Sequence, residues 1–531
     1  MRAQVQQIPY QDTGYFTPIV AAYLQGDPVL NPFYAHAPNW EGIKNALFAR
    51  NQFPVDRKLL VEILQEQYAA CKPIPAVQKN IAQLSAEKTF TVTTAHQPNL
   101  FTGPLYFIYK CLHTIQLARE IQQRYPDYSI VPVYYMGSED ADLEEIGQLT
   151  VGGIRYTWKT NQTGAVGRMK VDQALLDIIA QMEGQTGVEP WGKELSTIWR
   201  SCFTKGKSIA QATLEMVHAL LGEYGLLVFN ADHPRLKQAF TPVLLEELTT
   251  QFSHQAVTPA INELSRHFKV QAAGRDINLF YLINDRRERI EKEGNDFTVP
   301  ALQLRFSAAE MEQELHQHPD RFSPNVILRG VLQETLLPNV GFIGGGGELA
   351  YWLELLPVFQ KANKSFPVLL LRNSFLLLSE QQSNKWQQTG FTLPEIFRKT
   401  DSLISDLVLK EAEDKLDLTD EIEKLGAIYR ELKERAAAVD SSLLQHVDAL
   451  QKAALEKIEV LEKKMLRAEK RKYAESAYRI QHIRDQVFPN GSLQERVENM
   501  AVWYARSGKQ WIQCVLDHSD PISNGFTLLT C

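Results

Sequence analysis

The chain has 531 residues, 44% of them hydrophobic, and this length and composition predict a large globular protein of about three domains. Because 56 Lys and Arg residues face 63 Asp and Glu residues, the net charge of −7 argues against nucleic acid as a partner. Five dispersed cysteines without a C-x-x-C pair, and no apolar signal or membrane span, predict a cytoplasmic protein without disulfides, structural zinc or membrane attachment.

The predicted elements begin with a helical segment over residues 1–88, which has helical spacing at 57–68 and no evident strand. From residue 89 to about 400, short β-branched or aromatic runs alternate with amphipathic helices. This alternation predicts a mostly parallel sheet in an α/β core, with a polar insertion around 152–207. The strand candidates are 90–94, 130–135, 226–229, 340–343 and 367–372.

The composition changes over residues 401–480, where charged and apolar residues recur with heptad-like spacing. Two long helices joined at 440–442 predict an antiparallel αα-hairpin, after which residues 481–531 return to the core. A hairpin that packs on itself and a dimerisation arm both fit this pattern.

Residues 93–106 are predicted to end a strand, turn and open a helix. His96, Gln97 and Asn99 place an imidazole and two amides at the strand end, and Gly103 precedes a proline that fits a helix start. Open α/β sheets bind ligands at such turns, so the pattern predicts a site for a phosphate or carboxylate group. The alternative is that His96 and Asn99 only satisfy backbone groups of a tight turn.

Five carboxylates fall within seven residues after the second predicted strand, over residues 139–145. Asp140 and Asp142 could bind an amine, hold Mg²⁺ or act as a general base. The alternative is an acidic helix N-terminus favoured by the helix dipole, which is how we interpret Glu144 and Glu145.

Four successive glycines separate the fourth strand candidate from a helix. Backbone amides without side chains allow an anionic group to approach closely, whereas the alternative is a flexible turn. We therefore predict substrate contacts at Gly344, Gly345, Gly346 and Gly347.

Five further residues near these strand ends are candidates for substrate contact. Glu348 could hold an amine or hydroxyl group, and Tyr351 and Trp352 could form the wall of a pocket. Arg329 and Arg372 could each bind a carboxylate or phosphate through two hydrogen bonds, or form a structural ion pair instead.

The motifs at 96–106, 138–140, 343–352 and 488–496, together with Lys110, resemble the cysteine-adding enzymes of bacillithiol biosynthesis, the BshC family, over nearly the whole chain. The resemblance implies a Rossmann-like core similar to nucleotidylyltransferases and class I aminoacyl-tRNA synthetases, with helical insertions and a C-terminal antiparallel coiled coil that forms a homodimer. The implied reaction is a ligation that joins L-cysteine to the amine of glucosaminyl-malate through an amide bond.

The resemblance also implies roles for particular residues. His96, Asp140, Asp142 and Arg329 become catalytic candidates. ATP, with or without Mg²⁺, is inferred from the chemistry of amide formation, and no stably bound metal or organic cofactor is expected. The nucleotide is expected to contact three residues of the fourth motif, Asn490, Gln494 and Arg496.

The chain departs from the family pattern at two positions. Many relatives have His where this chain has Ala141, and Pro where it has Gly330. His96 is then the only imidazole that the motifs supply. Two alternative functions remain at this point: a nucleotidylyltransferase-like enzyme acting on another small acid, and a non-catalytic dimeric protein that binds a thiol metabolite.

Overall fold

The centre of the fold is a five-stranded parallel sheet, and each predicted run contributes one strand. In chain order the strands are Thr89–His96, Ser129–Met136, Leu227–Asn230, Asn339–Gly344 and Val368–Leu371. Both faces of these β-branched and aromatic runs are largely buried, as expected of a sheet covered by helices. The predicted Rossmann-like α/β core is therefore confirmed.

The order of the strands locates a crevice. In space the sheet runs fifth, fourth, first, second, third, with every neighbouring pair parallel. The direction of winding reverses between Thr89–His96 and Asn339–Gly344, and open α/β sheets bind ligands at the carboxyl ends of the strands at such a switch point. Val92, Ile343 and Leu117 belong to the apolar core around these two strands.

The computed structural model describes residues 4–271, 274–411, 418–471, 473–522 and 525–530. They form two compact units, one reaching Leu377 and including Ser492–Leu529, and the other spanning Leu378–Gly491. Cys531, one of the five cysteines, lies outside the described residues, and the four described ones are free thiols. None of the described helices combines the length and the apolar character that a membrane span requires.

The helices of both units are numerous and mostly short. The α-helices of the first unit are Pro18–Gln25, Trp40–Arg50, Arg57–Gln67, Pro75–Gln83, Tyr106–Arg124, Leu143–Ile146, Gln173–Thr186, Gly192–Cys202, Ile209–Leu221, Pro234–Thr250, Phe252–Leu264, Ala308–Gln317, Val326–Leu336, Gly346–Trp352, Leu356–Lys361, Ala501–Ser507 and Lys509–Asp517. Those of the second unit are Glu380–Gln387, Thr400–Glu411, Thr419–Val439, Leu444–Lys470 and Ala474–Val487.

The remaining strands form four smaller sheets among the described residues. Their strands are Gln4–Pro9, Gln148–Val151, Ile154–Thr157, Leu279–Ile283, Arg286–Arg289, Glu291–Glu293, Asp296–Val299, Leu304–Phe306, Phe322–Pro324, Phe375–Leu378 and Gly525–Thr530. Gln4–Pro9 contradicts the expectation that the first 88 residues contain no strand. It is an exposed edge strand that pairs with Gly525–Thr530, and a partner so distant in the chain leaves no local signal.

The predicted αα-hairpin is present in the second unit as the helices Thr419–Val439 and Leu444–Lys470. Asp440 accepts a hydrogen bond from the Ser442 N–H at 2.8 Å in the connecting turn. Leu461 and other apolar side chains of the hairpin remain about half exposed. Whether a second copy covers them stays a prediction.

A buried carboxyl group lies at the opposite end of the sheet from the crevice. Glu334 Oε1 accepts hydrogen bonds from Asn339 Nδ2 at 2.8 Å and Gln333 Nε2 at 3.0 Å, whereas the buried Oε2 has no partner among the described residues. Burial raises the pKa of Glu334 to about 7, although Arg50 lowers it in part.

This raised pKa predicts a loss of stability with rising pH. Below pH 4.5 the Glu334 carboxyl is protonated in both the folded and the unfolded chain, and its burial costs no stability through ionisation. As the pH rises from 4.5 to about 7, the unfolded chain loses this proton first, and the free energy of unfolding falls. The free energy of unfolding of Glu334→Gln, measured in urea, should therefore exceed that of the wild type by about 3 kcal/mol at pH 8 and match it near pH 4. The control is Glu312→Gln at an exposed carboxylate. An equal effect of Glu334→Gln at both pH values would contradict the prediction.

Candidate active site

Most of the predicted site residues line one cleft of about 480 Å³ at the switch point. Its walls come from the carboxyl ends of the first, second, fourth and fifth strands of the sheet, from the helices Tyr106–Arg124, Val326–Leu336 and Gly346–Trp352, and from Arg496. A larger groove of about 1270 Å³ lies elsewhere, around Trp158 and Arg286, and contains none of the predicted residues. The predicted residues in the cleft are His96, Gln97, Asp140, Arg329, Gly345, Gly346, Gly347, Glu348, Tyr351, Arg372 and Arg496.

The turn after His96 has an unusual backbone. Phe101, Thr102 and Gly103 have φ angles of +48°, +75° and +60°, although only glycine adopts such angles freely. The Asn499 side chain holds this turn by donating to the carbonyls of Phe101 at 2.9 Å and Gly103 at 2.5 Å. A Cβ on Gly103 would lie 2.6 Å from Asn99 Nδ2, so this glycine shapes the turn and does not line the cleft.

His96 projects into the cleft as a neutral imidazole. Burial, together with the charges of Lys110 and Arg372, lowers the pKa of His96 well below its usual value. Asn99 Nδ2 lies 3.2 Å from His96 Nε2, so a donating amide leaves the ring proton on Nδ1. At neutral pH His96 can therefore orient a ligand by hydrogen bonding, but it is a weak base.

A buried lysine connects the first strand to the glycine run. Lys110 donates to the Ala95 carbonyl at 2.8 Å and forms an ion pair with Glu348. The same Glu348 carboxylate accepts the Gly345 N–H at 2.8 Å. Burial lowers the pKa of Lys110, while Glu348 opposes that shift. Lys110, which the sequence analysis named only as part of the resemblance, lines the cleft.

The glycine run contributes fewer free amides than the sequence suggests. Gly344 ends its strand and does not line the cleft, and the Gly345 N–H is occupied by Glu348. Gly346 and Gly347 lie in the first turn of the helix Gly346–Trp352, where N–H groups have no acceptor within the helix. These two amides remain available to an anionic group.

The two aromatic residues of the helix Gly346–Trp352 have different environments. Tyr351 lines the cleft, whereas Trp352 is buried and stacks on Phe342 with ring centroids 4.3 Å apart. A Cβ on Gly330 would approach Phe359 to 2.9 Å and Trp352 to 3.1 Å. The absence of a side chain at Gly330 therefore gives these rings room, and Trp352 belongs to the core and not to a pocket wall.

The carboxylates of residues 139–145 have different partners. Glu139 forms an ion pair with the buried Lys237, and Asp140 with Arg329. Asp142 accepts the Glu145 N–H at 3.0 Å as the cap of a short helix. Glu145, interpreted from the sequence as an ordinary first-turn acid, lines the cleft. Burial and then the Asp142 charge raise the pKa of Glu145.

Asp140 and Arg329 face each other across the cleft wall. Both guanidinium Nη atoms of Arg329 donate to the Asp140 carboxylate, one of them at 2.9 Å. Burial alone would raise the pKa of Asp140, but Arg329 outweighs it and holds that pKa below its usual value. Asp140 is therefore an ionised, engaged carboxylate and a poor proton acceptor.

Arg372 is held in the cleft wall by a residue from the C-terminal part of the chain. Its Nη2 donates to Glu495 Oε1 at 2.6 Å, and Nη1 donates to Ser374 Oγ at 2.9 Å. Both partners of the ion pair are almost fully buried, with 5% and 0% of their side chains exposed. The structural ion pair and the cleft-lining position, offered as alternatives by the sequence, therefore coexist.

The three predicted nucleotide contacts do not share one environment. Gln494 is buried and bonds both backbone groups of Leu377, at 3.1 Å each. Arg496 lines the cleft, and Asn490 belongs to the second unit. Only Arg496 is therefore placed among the other predicted site residues.

Several residues that line the cleft were not among the predicted site residues, including Tyr106, Tyr135, Lys110, Gln271 and Glu145. Lys110 had a signal, since a lysine in a helix whose neighbours are apolar is usually paired when buried. No comparable signal distinguishes the two tyrosines from core aromatics. Among the described residues, no group of three or more His, Cys, Asp or Glu side chains is arranged to hold a metal ion.

The fold and the cleft define a class of protein with a Rossmann-like ligand-binding domain and a C-terminal coiled coil. Two family models match it: the N-terminal Rossmann-like domain of bacillithiol biosynthesis BshC over residues 3–373, and the C-terminal coiled-coil domain of BshC over residues 375–531. The chain belongs to the bacillithiol biosynthesis BshC family.

Individual relatives agree over their full length. A protein of Flavobacterium johnsoniae named "Putative cysteine ligase BshC" is 37% identical over 525 residues, covering 98% of this chain and 99% of its own. A protein of the same name from Cytophaga hutchinsonii is 35% identical over 528 residues, covering 99% and 98%. A solved structure of an arginyl-tRNA synthetase from Campylobacter jejuni, 11% identical, covers 87% of this chain and 98% of its own with a TM-score of 0.21, a similarity from which we draw no conclusion.

Proposed function

We propose that the cleft joins the carboxyl group of L-cysteine to the amine of glucosaminyl-malate, forming an amide bond at the expense of ATP. The observation that supports this most directly is that four distant motifs supply side chains to one cleft at the switch point of the sheet. Family membership and the ligase names of the relatives support the substrate class.

The cationic donors of the cleft suit anionic substrates. Its lining carries four cationic side chains and three carboxylates, and a fourth carboxylate, that of Glu495, pairs with Arg372 from outside the lining, so donors for an anionic group are present without an excess of positive charge. The cations are Lys110, Arg329, Arg372 and Arg496, and the carboxylates are Asp140, Glu145 and Glu348.

Amide formation from a free carboxylate is unfavourable in water, and ATP when bound would supply the activation. The groups that fit its phosphates are the first-turn amides of Gly346 and Gly347 and the guanidinium groups of Arg372 and Arg496. Any Mg²⁺ would be bound largely by those phosphates, as is usual for nucleotide-linked magnesium.

The amine must lose a proton when it attacks, and Glu145 is the best-placed acceptor. The pKa of Glu145 is raised, which makes its carboxylate a stronger base than the Arg329-bound Asp140. The neutral His96 would instead donate a hydrogen bond from its Nδ1–H to orient the substrate, because Asn99 already occupies Nε2.

The test is a turnover assay on the full chain with glucosaminyl-malate, cysteine, ATP and Mg²⁺, read by mass spectrometry. We expect a product of the mass of bacillithiol that disappears when ATP or cysteine is omitted. No product, while the Flavobacterium johnsoniae relative forms it in parallel, would reject the proposal. Pyrophosphate release with a different acid would favour a nucleotidylyltransferase, and ligand-dependent thermal stabilisation without turnover would favour a binding protein.

A further inference from the structure

A second chamber, of about 930 Å³, opens beside the active-site cleft. The two spaces share the walls formed by Gln97, Asp140 and Arg329. Besides Arg329, three arginines that the sequence analysis did not select line this space, and we call it the arginine chamber: Arg275, Arg287 and Arg289.

Strand geometry directs two of these arginines into the chamber. Side chains alternate between faces along the strand Arg286–Arg289. Arg287 and Arg289 share one face, with their guanidinium carbons 3.8 Å and 5.7 Å from the centre of the Phe280 ring. Arg286 lines the larger groove instead and pairs with Glu288 at 2.5 Å.

Arg287 is a desolvated cation without a carboxylate of its own. Its side chain is 8% exposed, and it donates to Ser323 Oγ at 3.1 Å and to the Pro324 carbonyl at 3.3 Å. The one carboxylate recorded within 4.0 Å among the described residues is Asp140, which Arg329 already engages. Burial and then the Arg329 charge lower the pKa of Arg287 to about 10. A buried charge that lacks a full counterion is costly, so an anionic ligand would relieve it.

The remaining carboxylates of the chamber do not cancel this charge. Four guanidinium groups face three carboxylates, those of Asp140, Asp142 and Glu144. Asp140 is bound by Arg329, and Asp142 accepts the Glu145 N–H. Among the described residues, Arg287 and Arg289 both lie against the Phe280 ring, and no carboxylate other than that of Asp140 is recorded within 4.0 Å of either guanidinium group.

We propose that the arginine chamber binds the dicarboxylate arm of the acceptor substrate, with Arg287 and Arg289 each binding one carboxylate group. The inference rests on the proposed ligation, in which the acceptor is an amino sugar that carries a malyl group. The amine would lie in the cleft beside Glu145, and the malyl group would extend past Asp140 into the chamber. Planar guanidinium groups match carboxylates through paired hydrogen bonds.

The test is calorimetric titration of the full chain with glucosaminyl-malate. Arg289→Ala removes an exposed arginine, and Arg287→Lys keeps the charge but loses the planar pair of donors. Each should weaken binding at least about tenfold, the change expected from losing hydrogen bonds between charged groups. Arg286→Ala, with the same change of charge on the opposite face of the strand, should stay within about twofold of the wild type.

A second ligand distinguishes the loss of carboxylate recognition from a general loss of binding by a misfolded variant. Methyl glucosaminide has the sugar amine but no carboxylate, so the wild type and Arg289→Ala should bind it equally weakly. The inference is overturned if Arg289→Ala binds glucosaminyl-malate as the wild type does, or if it loses affinity for both ligands alike.

The binding test of the arginine chamber and the turnover test of the ligation can fail independently of each other. Arginine-dependent binding without turnover would reject the ligation and keep the chamber. Ligation by Arg289→Ala with an unchanged KM for the acceptor would keep the ligation and reject the chamber.

Discussion

Replacing Glu495 by Gln is expected to lower the free energy of unfolding by about 3–5 kcal/mol, because Arg372 is left buried without a countercharge. Glu495 Oε2 also accepts the Phe375 N–H at 3.3 Å, so the carboxylate stabilises backbone as well as side chain. Guanidinium unfolding followed by tryptophan fluorescence measures the change.

The matched control for this pair is Glu183→Gln. Glu183 forms an ion pair with Arg200 in which both side chains are well exposed, so its loss should cost less than about 1 kcal/mol. Combining Arg372→Met with Glu495→Leu should recover most of the stability while removing one of the three arginines of the cleft. Equal destabilisation by Glu495→Gln and Glu183→Gln would show that burial of the pair is not what matters.

Replacing Arg329 by Ala is expected to reduce kcat/KM for the ligation by about 100-fold or more. The change removes a cation from the cleft and leaves the Asp140 carboxylate, 9% exposed, with Arg287 at 4.0 Å as the one cation recorded within that distance among the described residues. A loss of about 3 kcal/mol of transition-state stabilisation corresponds to this factor. Steady-state kinetics with each substrate varied in turn measures it.

Arg329→Lys should fall between the wild type and Arg329→Ala, since lysine keeps the charge but not the paired donors. Arg168 offers the control, because it binds Asp232 through two hydrogen bonds of 2.7 and 2.6 Å outside the cleft. Arg168→Ala should leave kcat/KM within about threefold of the wild type. If Arg329→Ala retained activity in that same range, Arg329 would have no part in the reaction.

The sequence predicted the central sheet well because its information is local. Each strand is a short β-branched or aromatic run, and parallel strands must present their carboxyl ends at one edge. His96, Asp140 and Gly345 are therefore predicted to lie at the same edge of the sheet, and all three line the cleft. The αα-hairpin followed equally from its local periodicity.

The parts that could not be predicted depend on contacts between distant segments. Glu495 pairs with Arg372, which lies 123 positions earlier in the chain, and Gln494 bonds the Leu377 backbone. Neither Arg372 nor Leu377 can be identified as a partner from spacing or composition. The left-handed backbone at Thr102 runs against the preference of a β-branched residue, and only tertiary structure imposes it. Arg287 lay in a region without a motif, so only the folded strand showed its direction.

The hydrogen bonds from Asn499 to the turn after His96 form late during synthesis on the ribosome. The turn is made in the first fifth of the chain, but the amide that holds it is translated about 400 residues later. Glu495 and Arg496 arrive at the same late stage. A nascent chain that has completed the parallel sheet therefore still has an unfinished cleft until residues 495–499 have been synthesised.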